Sequence, residues 1–470
     1  MIRLLSFTLD NVRNIRHGRL DFHVLTSGGN VTGIYGANGS GKTMVLAALA
    51  LLKRTMSGKP ICVSCGELVT IGEDTMSLSA VFLMASHRYV EYSVEYHKDD
   101  AGLNIGKESI RLLDEPKQSG RPIVVNDNTN NTDLGLAPDY LWRSVAKNHD
   151  GRDAVVLARR GAMLDRRSYL FSDDFAALTS GAENGEGLSA KASAHVREVA
   201  ALYETVRRLR TYAVKDMAVL SAGMPCKPGG PSDRMPDLTG DGMTVSAADL
   251  ERLERDVHGL NRALGAMIPG VAVQLKRIGK TLMSDGGMGV RVEPVSVRDG
   301  GATIPLRRES AGIRRIIELL PHLIRAFNDP DVCVAIDGLD TDVFEYLFGA
   351  MLEEFVRVGR GQLIFTAHNL RPMERMQPIS DMIVLSTLDP QNRFIPYRGL
   401  GKTNNPRRQY FNALELGGTT VPLYKEGMTQ LIGAGFTLAG NEHDQIDQQV
   451  EDGMRTLLDV PVDGLEEALC

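Results

Sequence analysis

Over the first 25 residues apolar and polar positions alternate, with Leu5, Phe7 and Leu9 followed by Leu20 and Phe22. A period of two sends successive side chains to opposite faces of an extended chain, so residues 2–25 predict two strands joined across Asn11 to Gly18. Val31 to Tyr35 is a short apolar, β-branched run, the pattern of a buried strand. Met44 to Lys53 is rich in Ala and Leu and predicts a helix. Alternation returns between 67 and 113, most plainly in Tyr89-Val90-Glu91-Tyr92-Ser93-Val94-Glu95-Tyr96, and predicts an antiparallel β layer. Residues 115–138 are rich in Pro, Asn, Asp and Gly and predict a loop.

From about 150 to 267 the period becomes helical, with candidate helices at Val196 to Met217 and Ala247 to Met267. Ser221 to Asp241, dense in Pro and Gly, predicts a long connection between them. Heptads are not sustained, which argues against a long coiled-coil arm. Strands are expected again at Val271 to Ile278 and Gly289 to Val297, around a turn at Asp299-Gly300-Gly301. A helix from Ile313 to about Phe327 leads to the apolar run Val332 to Ile336, which ends in Asp337. A helix from Thr341 to Val358 leads to Gln362 to Thr366, which ends at Ala367-His368-Asn369. Apolar strands alternating with helices predict a parallel sheet in an α/β fold.

The composition changes little in this picture. A chain of 470 residues, 43% hydrophobic and 24% charged, can bury more than one core. The sequence has no uninterrupted apolar run long enough to span a bilayer, and its first residues lack the apolar segment of a signal peptide, so a cytoplasmic protein is expected. Five scattered cysteines fit a reducing compartment. Cys62 and Cys65 form a CxxC with no second ligand pair nearby, and two small residues on or near a strand explain them better than zinc or redox chemistry.

The net charge of −6 is uneven: Asn441 to Cys470 has nine acids against Arg455, a net of −8, which leaves +2 on the rest. Two groups of arginines (Arg159, Arg160, Arg166 and Arg167; Arg207, Arg208 and Arg210) read first as solvated helix faces and second as a surface for nucleic acid or a partner. Residues 390–414 hold five bases (Arg393, Arg398, Lys402, Arg407 and Arg408) and no acid, with Tyr397 and Tyr410 between them. That run suits either contacts with nucleic-acid phosphates or a partner's acidic face, or salt bridges to the acidic tail or the head.

The chemistry starts at Gly36-Ala37-Asn38-Gly39-Ser40-Gly41-Lys42-Thr43, which fits the P-loop pattern GxxxxGK[ST] between a strand and a helix. Glycines let successive N–H groups turn toward phosphate oxygens, and the helix N-terminus adds its positive end. Lys42 is placed to reach the β- and γ-phosphates of ATP, and the Thr43 hydroxyl to hold Mg²⁺. Asp337, ending an apolar strand, is the candidate partner of Thr43 on the metal. Glu309-Ser310-Ala311-Gly312 precedes a helix, where Ser310 can serve as a plain N-cap or as part of an anion site. His368 ends the strand after Asp337.

These motifs, with the opening residues Phe7, Asn11, Arg13 and Asn14 and with Arg408-x-Tyr410, Gly417-Gly418 and Pro422, resemble ABC-like AAA-family ATPases of the overcoming-lysogenization-defect, RecF and SMC-head kind. The resemblance covers about half the chain. It implies a P-loop ABC-type ATPase head with an antiparallel β layer and an inserted, mainly helical domain. The head would comprise 1–149 and 268–440, the insertion 150–267, and an acidic tail 441–470. It further implies that Ser310 and Gly312 bind the γ-phosphate held by a second copy, and that His368 is the switch histidine. A homodimer or higher oligomer follows, with DNA transactions or antiphage defence, a separate nuclease as effector, and no membrane. Where that family has a glutamate directly after the aspartate, this chain has Gly338, which can neither polarise water nor accept its proton. ATP binding is therefore expected, with hydrolysis handicapped; Asp340 is a nearby carboxylate. A non-hydrolysing ATP-binding scaffold and a RecF-like repair factor are the alternatives.

Overall fold

The computed structural model describes residues 1–416, apart from 23, 25–28, 86–87, 117–119, 130–133, 146–148, 181–189, 222–235, 284–285, 377–378 and 398–404, together with 423, 432–433 and 435–436. The acidic tail, Arg398, Lys402, Gly417-Gly418, Pro422 and most of the expected connection at 221–241 lie outside the described residues.

The chain opens with the antiparallel strands β1 (Arg3–Val12) and β2 (Ile15–Asp21). β3 (Asn30–Gly36) runs into the P-loop and α1 (Lys42–Met56). Then come β4 (Thr75–Leu83), β5 (Tyr89–Asp99), β6 (Gly102–Leu113), β7 (Arg121–Asp127) and β8 (Leu136–Ala137). They complete a seven-stranded sheet in the order β2-β1-β4-β5-β6-β7-β8, antiparallel throughout. The 115–138 stretch is therefore not all loop. Ile123, Val124 and Val125 lie among its turn residues, and pairing with β6 makes a strand of them. Cys65 lies in a short 3-10 helix, Val63–Leu68, rather than on a strand.

Next are α2 (Asp139–Val145), α3 (His149–Leu164), α4 (Asp173–Ser180) and α5 (Ala190–Thr211). The helix expected to reach Met217 ends at Thr211; a turn of π-helix, Tyr212–Asp216, leads into β9 (Met217–Leu220). Four apolar residues at the end of a helical pattern do not announce a strand, and here the neighbouring strand decides. β9 pairs in parallel with β14 (Cys333–Ile336), so a segment inside the helical stretch completes the central sheet.

β10 (Met243–Val245), α6 (Ala247–Met267), β11 (Val271–Leu282), β12 (Met288–Arg298) and β13 (Thr303–Pro305) form a separate small lobe. α7 (Ala311–Asn328) packs against it through Ile316, Ile317 and Leu320. α8 (Glu345–Val358), β15 (Gln362–Thr366), β16 (Ile383–Ser386) and β17 (Phe394–Pro396) complete the chain's regular core. The central sheet has the order β17-β16-β3-β15-β14-β9 and is parallel except for β17.

α1 lies between the two large sheets. Val45 to Leu52 are all buried, and they share one core with Phe7, Leu78 and Tyr92 of the antiparallel layer and Ile34 and Ile364 of the parallel sheet. A helix apolar on every side suits that sandwiched position. The opposite face of the parallel sheet is covered by α7 and α8, through Leu319, Leu323, Phe348 and Leu352. Gln362 ties the layers together: its amide donates to the Leu4 carbonyl at 2.7 Å and accepts from the Leu4 N–H at 3.1 Å.

Glu108 on β6 is fully buried and accepts from five donors: Tyr92 Oη, Asn126 Nδ2, Ser168 Oγ and the N–H groups of Tyr169 and Leu170. It fastens the chain after α3 to the β layer. Burial pushes its carboxyl upward, while Ser168, Leu170, Asn126 and Tyr92 pull the other way by bonding the ionised form. Removing the carboxylate strands those donors, each worth about 1–3 kcal/mol when buried and unpaired. Glu108→Ala is expected to lower the chemical denaturation midpoint by the equivalent of ~3 kcal/mol or more. Glu108→Gln, which keeps the shape, should fall between the two.

Candidate nucleotide site

Because the central strands are parallel, their carboxyl ends meet at one edge, the usual place for a ligand in such a sheet. β3 sits in mid-sheet between β16 and β15 and delivers the P-loop there. Gly41 begins α1 with φ +96°, and a Cβ on it would lie 3.1 Å from Ile15 Cγ1 and 3.2 Å from Asn14 Oδ1. Only glycine closes this loop without strain. Asn14 Nδ2 donates to the Gly39 carbonyl at 2.5 Å, and Ser386 Oγ donates to the Ser40 carbonyl at 2.6 Å. The loop is thus held from outside by β16 and by the turn between β1 and β2.

The structure brings Lys42, Thr43, Asp337 and His368 to one cavity of about 1260 Å³. Thr43 Oγ1 lies 3.2 Å from Asp337 Oδ1. Two further hydroxyls donate to the same carboxylate: Thr366 Oγ1 at 2.6 Å and Ser221 Oγ at 3.3 Å. Thr366 ends β15 inside a motif already noted, but Ser221 was not legible as a site residue, because it follows a strand hidden in a helical pattern. Lys42 Nζ is folded onto the loop's own carbonyls, 2.8 Å from Gly36 O and 2.7 Å from Ala37 O. Burial lowers its pKa, while Asp337 and Asp340 act in the opposite sense.

These groups fit Mg²⁺-ATP. The buried Ser40 Oγ has no hydrogen-bond partner, the Lys42 ammonium is parked on carbonyls a phosphate could replace, and a threonine hydroxyl beside a carboxylate suits a hard cation.

Ser310 caps α7, its Oγ accepting from the Ile313 N–H at 3.4 Å. Ser310 is exposed, and Ser310 and Gly312 do not line this chain's own P-loop cavity. Gly312 packs closely on the next loop, where a Cβ would lie 2.5 Å from the Asp342 carbonyl. The first turns of α7 nevertheless reach the site. Arg315 lines the cavity and donates to the Asp337 carbonyl at 3.1 Å, a contact with no sequence signal.

Asp340 is committed elsewhere: Oδ2 accepts from the N–H groups of His368 and Asn369 at 2.8 and 2.7 Å. It therefore positions the histidine's loop. Gly338 has φ +57°, in the left-handed region, and its N–H donates to Thr366 Oγ1 at 2.8 Å. A side chain there costs about 1–2 kcal/mol of backbone strain.

The arginine groups are largely spent within the fold. Arg159 bonds Asn126, Leu134, Asp127 and Asn128; Arg207 and Arg208 share Glu204; Arg210 pairs with Asp173 and Arg167 with Asp174. In the 390–414 run, Arg393 is buried and bonds the carbonyls of Thr387 and Asn14, and Arg407 pairs with Glu374.

Residues 6–53 match the family model of the AAA domain. The match takes in most of β1, all of β2 and β3, the P-loop and most of α1. No curated protein matches the chain. Among solved structures, an SMC head domain from Thermotoga maritima is 13% identical, with 84% of this chain and 98% of that one covered and a TM-score of 0.38. An Smc head with an extended coiled coil, bound to the C-terminal domain of ScpA and derived from Pyrococcus furiosus, is 11% identical, with coverages of 84% and 96% and a TM-score of 0.40. RecF-ATP of the RecFOR pathway is 13% identical, with coverages of 82% and 95% and a TM-score of 0.35. At such scores these likenesses carry no argument. Among the described residues no helix is long and apolar enough to cross a membrane.

The His368 pKa is lowered, first by burial and then by the nearby Lys42 ammonium. An NMR titration of the free protein should give an imidazole midpoint below 6.5, and Lys42→Met should raise it.

Proposed function

We propose that this protein is an ATP-dependent dimerising switch of the cytoplasm, acting in DNA transactions with a separate effector, and that its own turnover of ATP is slow. The observation that carries the nucleotide part is the meeting of Thr43, Thr366 and Ser221 on the Asp337 carboxylate, beside Lys42.

In this reading the P-loop N–H groups and Lys42 bind the phosphates, and Lys42 leaves the Gly36 and Ala37 carbonyls to do so. Thr43 and Asp337 would hold Mg²⁺, which would offset the charge of the phosphates. His368 lines the same cavity, its backbone N–H held by Asp340. The exposed Ser310 at the start of α7 faces outward, as a contact for a second copy's nucleotide requires. Arg315 joins that helix to the Asp337 carbonyl, so the two ends of the proposed contact are mechanically linked within one chain.

The second reading, a scaffold that holds ATP without turning it over, is favoured by Gly338. Position 338 has no carboxylate, the left-handed backbone resists one, and Asp340 is engaged with two N–H groups. Slow turnover with firm dimerisation lies between the two.

ATP affinity, turnover and sedimentation on one preparation separate them. Wild type is expected to bind ATP, to sediment as a dimer with it, and to turn over far below the roughly 1–10³ s⁻¹ typical of enzymes. Lys42→Ala should lose at least about tenfold in affinity, ~1.4 kcal/mol, and the ATP-dependent dimer with it. Gly338→Glu should leave turnover slow and lower thermal stability, because the added carboxylate enters on a strained backbone. Turnover restored by Gly338→Glu overturns the geometric part; absence of ATP binding in wild type overturns the whole.

A further inference from the structure

The Glu309-Ser310-Ala311-Gly312 stretch contains a glutamate that neither the P-loop cavity nor the cap of α7 uses. The Glu309 side chain is 4% exposed. Its two carboxylate oxygens accept from Arg298 Nη2 at 2.8 and 2.7 Å, and Ser296 Oγ donates to Oε1. Ser296 and Arg298 are both on β12. The same strand makes a second contact, in which Glu293 pairs with Arg307.

The backbone continues this attachment. β13 pairs with β12 at Val295 to Val297 and leads into a turn of 3-10 helix, Leu306–Arg308. Leu306 is fully buried in the core of the small lobe, and the Glu309 N–H donates to its carbonyl at 3.0 Å. Up to Glu309, therefore, the chain belongs to the lobe. From α7 onward it belongs to both parts: Ile316, Ile317 and Leu320 are in the lobe's core, while Leu319, Leu323 and Ala326 are in the core beneath the parallel sheet. Ser310 to Gly312 is the joint between them.

The two ends of this joint are held by different parts. Gly312, against the Asp342 carbonyl, fixes the far end to the loop after Asp337. At the near end the Ser310 hydroxyl does little: its contact with the Ile313 N–H is 3.4 Å, longer than the roughly 2.7–3.2 Å of a good hydrogen bond. The firm attachment there is Glu309. A buried carboxylate bonded to a guanidinium keeps its place, because parting them leaves a buried charge uncompensated.

We propose that Glu309 is a positioning residue. Held by Arg298 and Ser296, it makes the small lobe set the attitude of Ser310 toward the nucleotide of a second copy. A displacement of β12 is then felt as a change in dimerisation and not in this chain's own grip on ATP, since Ser310 and Gly312 do not line its cavity. The inference rests on the dimerising reading of Ser310 in the proposed function. A pair that only stabilised the lobe would act on dimerisation no more than any other loss of stability there.

Glu309→Gln, Arg298→Lys and Leu260→Ala separate these cases. Glutamine keeps the shape and loses the charge, and Arg298, partly exposed, then has water as an alternative. Leu260→Ala lowers the stability of the lobe's core without touching the pair. Amide hydrogen exchange of the ATP-free chain reads the joint with no dimer needed. Glu309→Gln should speed exchange at Ile313 and Arg314 by about tenfold or more, with α1 unchanged, and Arg298→Lys should fall between. Sedimentation with ATP should show the dimer weakened by about tenfold or more in Glu309→Gln, while the ATP affinity of the dilute chain stays at the wild-type value. Leu260→Ala, studied well below its melting temperature, should dimerise as wild type does. Unchanged exchange at Ile313 and Arg314 in Glu309→Gln overturns the inference, as does a dimer weakened equally by Leu260→Ala. If wild type does not dimerise with ATP, the dimerising reading falls, and the exchange result still decides whether Glu309 positions the turn.

Discussion

The structure depends on one carboxylate. Asp337 receives hydroxyl contacts from Thr43 after β3, Thr366 on β15 and Ser221 after β9. These groups stand 294, 29 and 116 residues from it along the chain. Only a parallel sheet of this strand order sets their ends side by side, and only a buried core on both faces makes that sheet rigid enough to hold the hydroxyls in place. α1 fills one face and α7 and α8 the other, so the same packing that stabilises the domain aims the P-loop at Asp337.

Much of this was legible in the sequence because each signal was local. The glycine pattern, the strand before it and the helix after it are one uninterrupted stretch. Asp337 and His368 each end an apolar run, and their positions follow from the strands alone. Ser221 and Arg315 were not legible, for two physical reasons. β9 is four residues long and becomes a strand only because β14 offers it a ladder. Arg315 reaches the site through the packing of α7 against the sheet, which no period along the chain encodes.

Charge reading shows the same division. Clustered arginines in the sequence read first as solvated helix faces, yet tertiary contacts gave most of them partners, and Arg159 and Arg393 became internal ties between segments.

The central claim is that Asp337 and Thr43 form a divalent-cation site that serves a bound nucleotide. Calorimetric titration of ATP into wild type and Asp337→Asn, each with and without Mg²⁺, tests it directly. We expect Mg²⁺ to tighten ATP binding in wild type by about tenfold or more and to have little effect in Asp337→Asn. Equal Mg²⁺ dependence in the two proteins, or ATP binding in wild type indifferent to Mg²⁺, would contradict it.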